Sequence, residues 1–353
     1  MTKDPHPDVL FIINEPRYNG YTNRRVYVCT DGGIWNAKDI YNTSINKDWE
    51  RRDLTYVTTQ FYSIAGDGPT GRIVGGTQDN GTLCLNTCSN YNAILTFGGD
   101  GGVCEIDYTN PKYLYGEYIL LKIHRATNGG LNAFYICNNL PDSGKKANFI
   151  APFVLEPNDP NVMYAGGNSL WISRNIKTSN PNNVTWQRIM PGANKNICAL
   201  AVAKKNRNVI WVARNDGTIY MTKNGQSPNP TWIVIDDNFS RNPLPNRYVP
   251  DILIDKFDPN TVYIAFGGYC RDNLYKTTDA GRTWTDVSGN GPTGLPDAPI
   301  FSIEQHPYMR NWLYVSTTVG IFATENGGNV RSTTNDGPAN VSVNEVRFMN
   351  HSL

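Results

Sequence analysis

Val262-Tyr-Ile-Ala-Phe-Gly-Gly-Tyr-Cys-Arg-Asp-Asn-Leu-Tyr-Lys-Thr-Thr-Asp-Ala-Gly-Arg-Thr-Trp284 is the stretch that decides the fold. It reads as two short strands rich in β-branched and aromatic residues, separated by a Gly-rich turn and closed by the octet Thr277-x-Asp279-x-Gly281-x-Thr283-Trp284. The residue types of the octet suit one physical task. The Asp carboxylate accepts backbone N–H groups of a tight hairpin, the Gly takes a positive φ, and the Trp packs beneath the adjoining sheet.

Working outward, the second strand of this unit recurs as an aromatic or branched residue after a Pro/Asn-rich turn. The anchors are Tyr27, Val74, Tyr115, Tyr164, Trp211, Tyr263 and Tyr314, spaced by 47, 41, 49, 47, 52 and 51 positions. A period near 50 predicts one propeller blade per repeat. An apolar strand precedes each anchor and is expected to face the central axis: Val9 to Ile13, Phe61 to Ala65, Val103 to Ile106, Phe149 to Leu155, Ile197 to Val202, Ile252 to Ile254 and Ile300 to Ile303. Degenerate copies of the octet follow the anchors, several keeping the Thr-Trp end, as in Thr185-Trp186 and Thr231-Trp232.

Seven such units predict an all-β chain folded as a single seven-bladed β-propeller of four-stranded antiparallel blades. The blades are expected at about 8–55, 56–98, 99–140, 147–190, 195–238, 249–290 and 298–334. Residues 335–353 are expected either to supply a closing strand or to begin a further blade, since Asn344-Glu-Val-Arg-Phe-Met349 reads as one more inner strand.

Composition agrees with this reading and narrows the function. In 353 residues there are 20 Tyr, 8 Trp, 32 Gly and 22 Pro, the currency of strands and turns, and no sustained apolar run at helical spacing. A formal charge of +1 argues against a nucleic-acid surface. No segment approaches the roughly 20 apolar residues of a membrane helix. The opening residues lack the pattern of a secretory leader, which leaves room for one removed upstream. The seven cysteines form no CxxC pair and read as small buried side chains, with Cys84 and Cys88 close enough in sequence for a local disulfide. The four histidines show no metal-ligand spacing, so neither a metal nor a cofactor is expected.

Several stretches resemble a known group: Cys29-Thr-Asp-Gly-Gly-Ile-Trp35, Thr59-Gln-Phe-Tyr62, Gly75-Gly-Thr-Gln-Asp-Asn-Gly-Thr82, Gly98-Gly-Asp-Gly-Gly102, Phe149-Ile-Ala-Pro-Phe153 and Thr317-Thr-Val-Gly-Ile-Phe322. Together with the octet they resemble the Asp-box (BNR-repeat) propellers of bacterial secreted proteins. These are related in fold to sortilin-type domains, xyloglucan-hydrolysing endoglucanases and sialidases. The resemblance implies an extracellular or cell-surface location. The endoglucanases use aspartates in Thr-Asp-x-Gly-Gly loops, which Asp31 and Asp100 resemble. They also set two propellers face to face, so catalysis here would call for a second propeller.

In a propeller, the turns between second and third strands lie on the same face as the blade connections, while octet turns lie on the other. Candidate ligand contacts are therefore Gln78, Asp79, Asn80, Glu117, Tyr118, Arg214, Asp216, Tyr269 and Arg271. The amides and carboxylates suit a hydroxyl-rich or peptide ligand; the tyrosines and arginines offer stacking. Asp31 and Asp100 are the candidate catalytic pair, because glycoside hydrolysis needs two carboxyl groups about 5 to 9 Å apart. The leading expectation is a non-catalytic module that binds a glycan or a protein segment on that face. A glycoside hydrolase and a structural assembly propeller are the alternatives.

Overall fold

The computed structural model describes residues 4–53, 59–86, 93–235, 244–328, 332–333 and 340–349. Over these residues the chain is all-β apart from two single 3-10 turns, and forms seven four-stranded antiparallel sheets. Blade 1 holds Val9–Asn14, Val26–Thr30, Gly33–Ala37 and Trp49–Arg51, and blade 2 holds Phe61–Asp67, Arg72–Thr77, Gly81–Asn86 and Ala93–Phe97. Blade 3 holds Cys104–Ile106, Leu114–Glu117, Ile123–Ala126 and Phe134–Tyr135; blade 4 holds Phe153–Leu155, Met163–Gly166, Leu170–Ser173 and Gln187–Met190. Blade 5 runs through Ile197–Val202, Ile210–Arg214, Ile219–Thr222 and Ile233–Val234, and blade 6 through Asp251–Ile254, Val262–Ala265, Leu274–Thr277 and Thr285–Asp286. Blade 7 is Ile300–Gln305, Leu313–Thr317, Gly320–Thr324 and Ser332–Thr333. In each sheet the strands pair in chain order, as a meander.

The octet does what its residue types dictate. Asp279 accepts the N–H groups of Arg282 and Thr283 and both the Thr277 and Thr283 hydroxyls, closing the hairpin between the third and fourth strands of blade 6. Gly281 sits at φ +85, where a Cβ would also strike Ile235 and Trp211 of blade 5. Degenerate copies keep the geometry with Asn in place of Asp: Asn175 accepts the Thr185 N–H in blade 4, and Asn224 accepts the Thr231 N–H in blade 5. The tryptophans that end them tie each blade to the one before. Trp186 Nε1 donates to Ile136 O, Trp232 Nε1 donates to Ile189 O, and Trp284 meets Trp211 edge to face at 6.1 Å.

The apolar core lies between blades rather than within them. Separate clusters fill the interfaces of blades 2 and 3, 3 and 4, 4 and 5, 5 and 6, and 6 and 7. Among the described residues, no cluster joins blade 1 to either neighbour. Its first strand was expected to face the axis. Instead Val9, Leu10, Phe11, Ile12 and Ile13 are 47 to 70 % exposed, and among the described residues the strand pairs with Val26–Thr30 alone. A closed seven-membered ring has seven interfaces between blades; among the described residues five carry an apolar cluster and the two beside blade 1 do not, so the apolar pattern of Val9–Ile13 is left without one.

The C-terminal stretch contributes no strand over residues 340–349 and runs extended along the inside of the ring. Val343 N donates to Thr317 O of blade 7, Asn344 Nδ2 donates to Phe61 O of blade 2, and Glu345 accepts the Ile64 N–H of blade 2. Phe348 packs on His306 and Tyr314 of blade 7, and Met349 lies over Gly66 of blade 2, in space that a Cβ would take. This segment bridges blades 7 and 2. It borders a central cavity of about 470 Å³ whose wall includes Ile64, Glu105, Leu155, Ala201, Ile252 and Glu304.

Candidate functional site

The turn-bearing face gathers Asp31, Asp79 and Asp100 at the corner of blades 1 and 2. Three turns on this face share one device, a threonine on the strand end. Thr30, Thr77 and Thr317 each donate their hydroxyl to the carbonyl of the glycine that starts the next strand, at 3.0, 2.7 and 2.9 Å. Asp31 stands exposed on the first of these turns. Asp100 Oδ1 accepts the Asp79 backbone N–H at 3.1 Å, so it holds the second turn from the neighbouring connection. Asn80 Nδ2 donates to the Gln78 carbonyl inside the same turn.

Asp79 has positive φ (58°), and its carboxylate faces the N-terminal segment. His6 Nε2 lies 3.3 Å from Asp79 Oδ1, and His6 itself rests over Gly32, whose missing Cβ makes the room. Burial pushes the Asp79 carboxyl above the usual carboxylate range; His6 opposes this, and the charges of Asp100, Asp31 and Asp8 reinforce it. The Tyr62 hydroxyl beside them is raised by burial and then by the same three aspartates Asp100, Asp79 and Asp31. Asp31 and Asp100 thus both act on Asp79 and Tyr62, and Asp100 touches the Asp79 backbone directly. His6 is the member that the sequence reading passed over.

The other candidates are dispersed. Glu117 is fully buried and accepts the N–H groups of Leu121, Ala151 and Val103, which makes it an internal strut and withdraws it from any surface contact. Burial raises its carboxyl to about 8 against those three donors. Arg214 is likewise buried and donates to the carbonyls of Asn168, Lys195 and Pro191 while lying over the Tyr220 ring. Both assignments as ligand contacts are corrected by this burial: the charges found backbone partners before any ligand could. Tyr118 packs between Gly99 and the Lys122 ammonium. Asp216 accepts the Thr218 N–H of its own turn. Tyr269 is 76 % exposed on blade 6, and Arg271 beside it pairs loosely with Asp297 at 3.4 Å. Cys84 is a buried thiol, and Cys88 lies outside the described residues.

A second charged locus lines the central cavity. Glu105, Asp251 and Glu304 project from the first strands of blades 3, 6 and 7, with Glu345 and Arg347 supplied by the C-terminal segment. Arg347 Nε donates to Glu345 at 2.6 Å, and Lys256 Nζ donates to Glu304 at 2.5 Å. Burial raises Glu105 to about 7 and Asp251 to about 6, with Arg347 opposing both shifts.

Comparison with solved structures finds the same architecture. The structure titled "YCF48 from Cyanidioschyzon merolae" superposes with a TM-score of 0.56 at 16% identity, covering 92% of this chain and 98% of that one. A second, titled "YCF48 bound to D1 peptide", superposes with a TM-score of 0.50 at 15% identity, covering 93% and 94%. At this identity the likeness shows the β-propeller fold. No protein-family model matches the sequence, and no curated protein matches it. No helix among the described residues is long and apolar enough to cross a membrane.

Proposed function

We propose that this propeller is a non-catalytic protein-binding module that takes an extended segment of a partner along the first strand of blade 1. The observation that carries the reading is the exposure of Val9–Ile13, five consecutive apolar residues on an edge strand of which one side is paired, with Val26–Thr30. An edge strand offers a row of N–H and C=O groups that template a further strand, and apolar side chains on both faces add affinity. A peptide satisfies both; a glycan supplies neither the ladder nor the apolar side chains, so the protein segment is preferred. The octet hairpins support placement among Asp-box propellers. One solved relative in fold carries a bound peptide in its title, which is in keeping with this use of the architecture.

The test is selection of random peptides on the immobilised protein, with binders measured by fluorescence anisotropy. Leu10→Lys and Phe11→Lys place charge on opposite faces of the strand and should each abolish binding of the selected peptides. Peptides that bind both variants as they bind the parent would sink the reading.

A hydrolase reading retains one observation, the raised Asp79 carboxyl beside Asp31 and Asp100, since an acid and a carboxylate at one corner are what glycoside cleavage uses. It is tested by release of reducing ends from plant, algal and bacterial polysaccharides, with Asp31→Asn and Asp100→Asn beside the parent. No release across the panel would remove it.

A further inference from the structure

The corner of blades 1 and 2 carries a second, separate use. We propose that His6, Asp8 and Asp79 bind a divalent transition-metal cation of the zinc or manganese class. One ligand atom from each residue, a ring nitrogen of His6 and a carboxylate oxygen of each aspartate, lies within 4.8 Å of the other two. His6 Nε2 and Asp79 Oδ1 are already 3.3 Å apart. A tetrahedral cation with bonds of about 2.1 Å holds its ligands about 3.4 Å apart, so this pair needs almost no adjustment. Bringing the third ligand in from 4.8 Å asks for a shift of roughly 1.4 Å, within reach of a side-chain rotation at Asp8, whose side chain is exposed.

The independent observation is Asp79 itself. Its side chain is only 9 % exposed, and its Oδ2 is buried with no hydrogen-bond partner. A buried carboxylate oxygen normally has a donor or a cation. The Asp8 backbone N–H points at His6 Nδ1 at 3.3 Å, which fixes that nitrogen as acceptor and leaves Nε2, the nitrogen facing Asp79, to carry the proton. For Nε2 to ligate the cation the ring proton moves to Nδ1 and the Asp8 N–H contact opens, so the neutral ring itself releases no proton.

One imidazole with two carboxylates is a mixed nitrogen and oxygen set, which favours zinc or manganese over calcium or magnesium. Three protein ligands leave a coordination position to water. The Asp31 and Asp100 charges lie close enough to act on Asp79 and add to the local negative potential. The structural effect follows from where the ligands sit. His6 and Asp8 precede the first strand of blade 1, and Asp79 belongs to blade 2, so the cation pins the blade that no apolar cluster among the described residues secures.

The experiment titrates the metal-free full chain with Co²⁺ alone, followed by its visible spectrum and by calorimetry, and then displaces it with Zn²⁺. The expected result is one equivalent of tightly held Co²⁺ with nitrogen and oxygen ligation. His6→Ala and Asp79→Asn should each weaken it by about tenfold or more. Asn tolerates the positive φ at position 79, and far-UV circular dichroism confirms that the variant folds. Cys270→Ser, which removes the one thiol exposed among the described residues, should leave binding unchanged. The proposal is overturned if Co²⁺ fails to bind at millimolar concentration, if sulfur charge-transfer bands appear and vanish in Cys270→Ser, or if Asp79→Asn binds as the parent does. Peptide binding by the edge strand is read separately, so the two proposals stand or fall independently.

Discussion

The Glu345 carboxylate accepts the Ile64 backbone N–H at 2.7 Å, joining positions 281 apart in sequence. It does so on the inner side of the ring, in a segment that touches blade 7 and blade 2 together. A partly buried N–H that loses a charged acceptor forfeits about 1 to 3 kcal/mol. Glu345→Ala should therefore lower stability by that amount in urea unfolding, and Glu345→Gln, which keeps an acceptor oxygen, should lose less. Equal, negligible losses in both would mean the bridge does not hold the ring.

The cavity carboxyls set a pH dependence. Burial raises Glu105 from 4.5 to about 7 and Asp251 from 3.8 to about 6. Between those limits the folded chain keeps protons that the unfolded chain has released, so stability falls as pH rises through this window. The charged groups acting on them are Arg347, which opposes the rise, and Glu345 and Glu304, which add to it; Lys256 pairs with Glu304. Glu105→Gln removes one such proton. Its melting temperature should exceed the parent's at pH 8 and approach it at pH 5; the reverse order would contradict the assignment.

Asp279 gathers four donors in a single hairpin. Asp279→Ala leaves two backbone N–H groups and two hydroxyls to water and should cost about 1 to 3 kcal/mol. Asp279→Asn, the residue that stands at the equivalent places 175 and 224, should cost less than half as much. Thermal unfolding of both variants, monitored by tryptophan fluorescence because Trp284 ends the hairpin, decides the matter.

The exposed strand makes the opposite prediction. Leu10→Lys and Phe11→Lys lie where side chains meet solvent, so each should change stability by about 0.5 kcal/mol at most. Each should also reduce self-association in concentrated solution, because charge on an edge strand blocks strand addition. Sedimentation velocity over a range of protein concentrations checks the second effect; a destabilised, unchanged oligomer would show that the strand is buried in solution.

What the sequence revealed depended on how local the physics was. The octet at Thr277–Trp284 and the period near 50 reported the blades because hairpin closure and strand alternation are decided within a few residues. The fate of Val9–Ile13 was not legible there: an apolar pattern says that a strand wants burial, and only the assembled ring shows whether a neighbour supplies it. Glu117 and Arg214 misled for a related reason, since charged residues next to turns look solvent-facing until their backbone partners are known. Asp31 and Asp100 each lie near enough to Asp79 to act on its carboxyl. His6 was invisible beside them because ligand spacing rules read short intervals, and its partner Asp79 is 73 positions away.

The bridge between blades 7 and 2 also fixes an order of events. Residues 61–64 leave the ribosome long before residues 343–349 exist, so blade 2 must wait through the synthesis of five more blades for the contacts that bind it to blade 7. Blades 2 to 7 can stack in succession as each appears, every one on a finished neighbour. The circle itself is completed by residues 343–349, and until they appear the growing protein is an open arc with a bare face at each end.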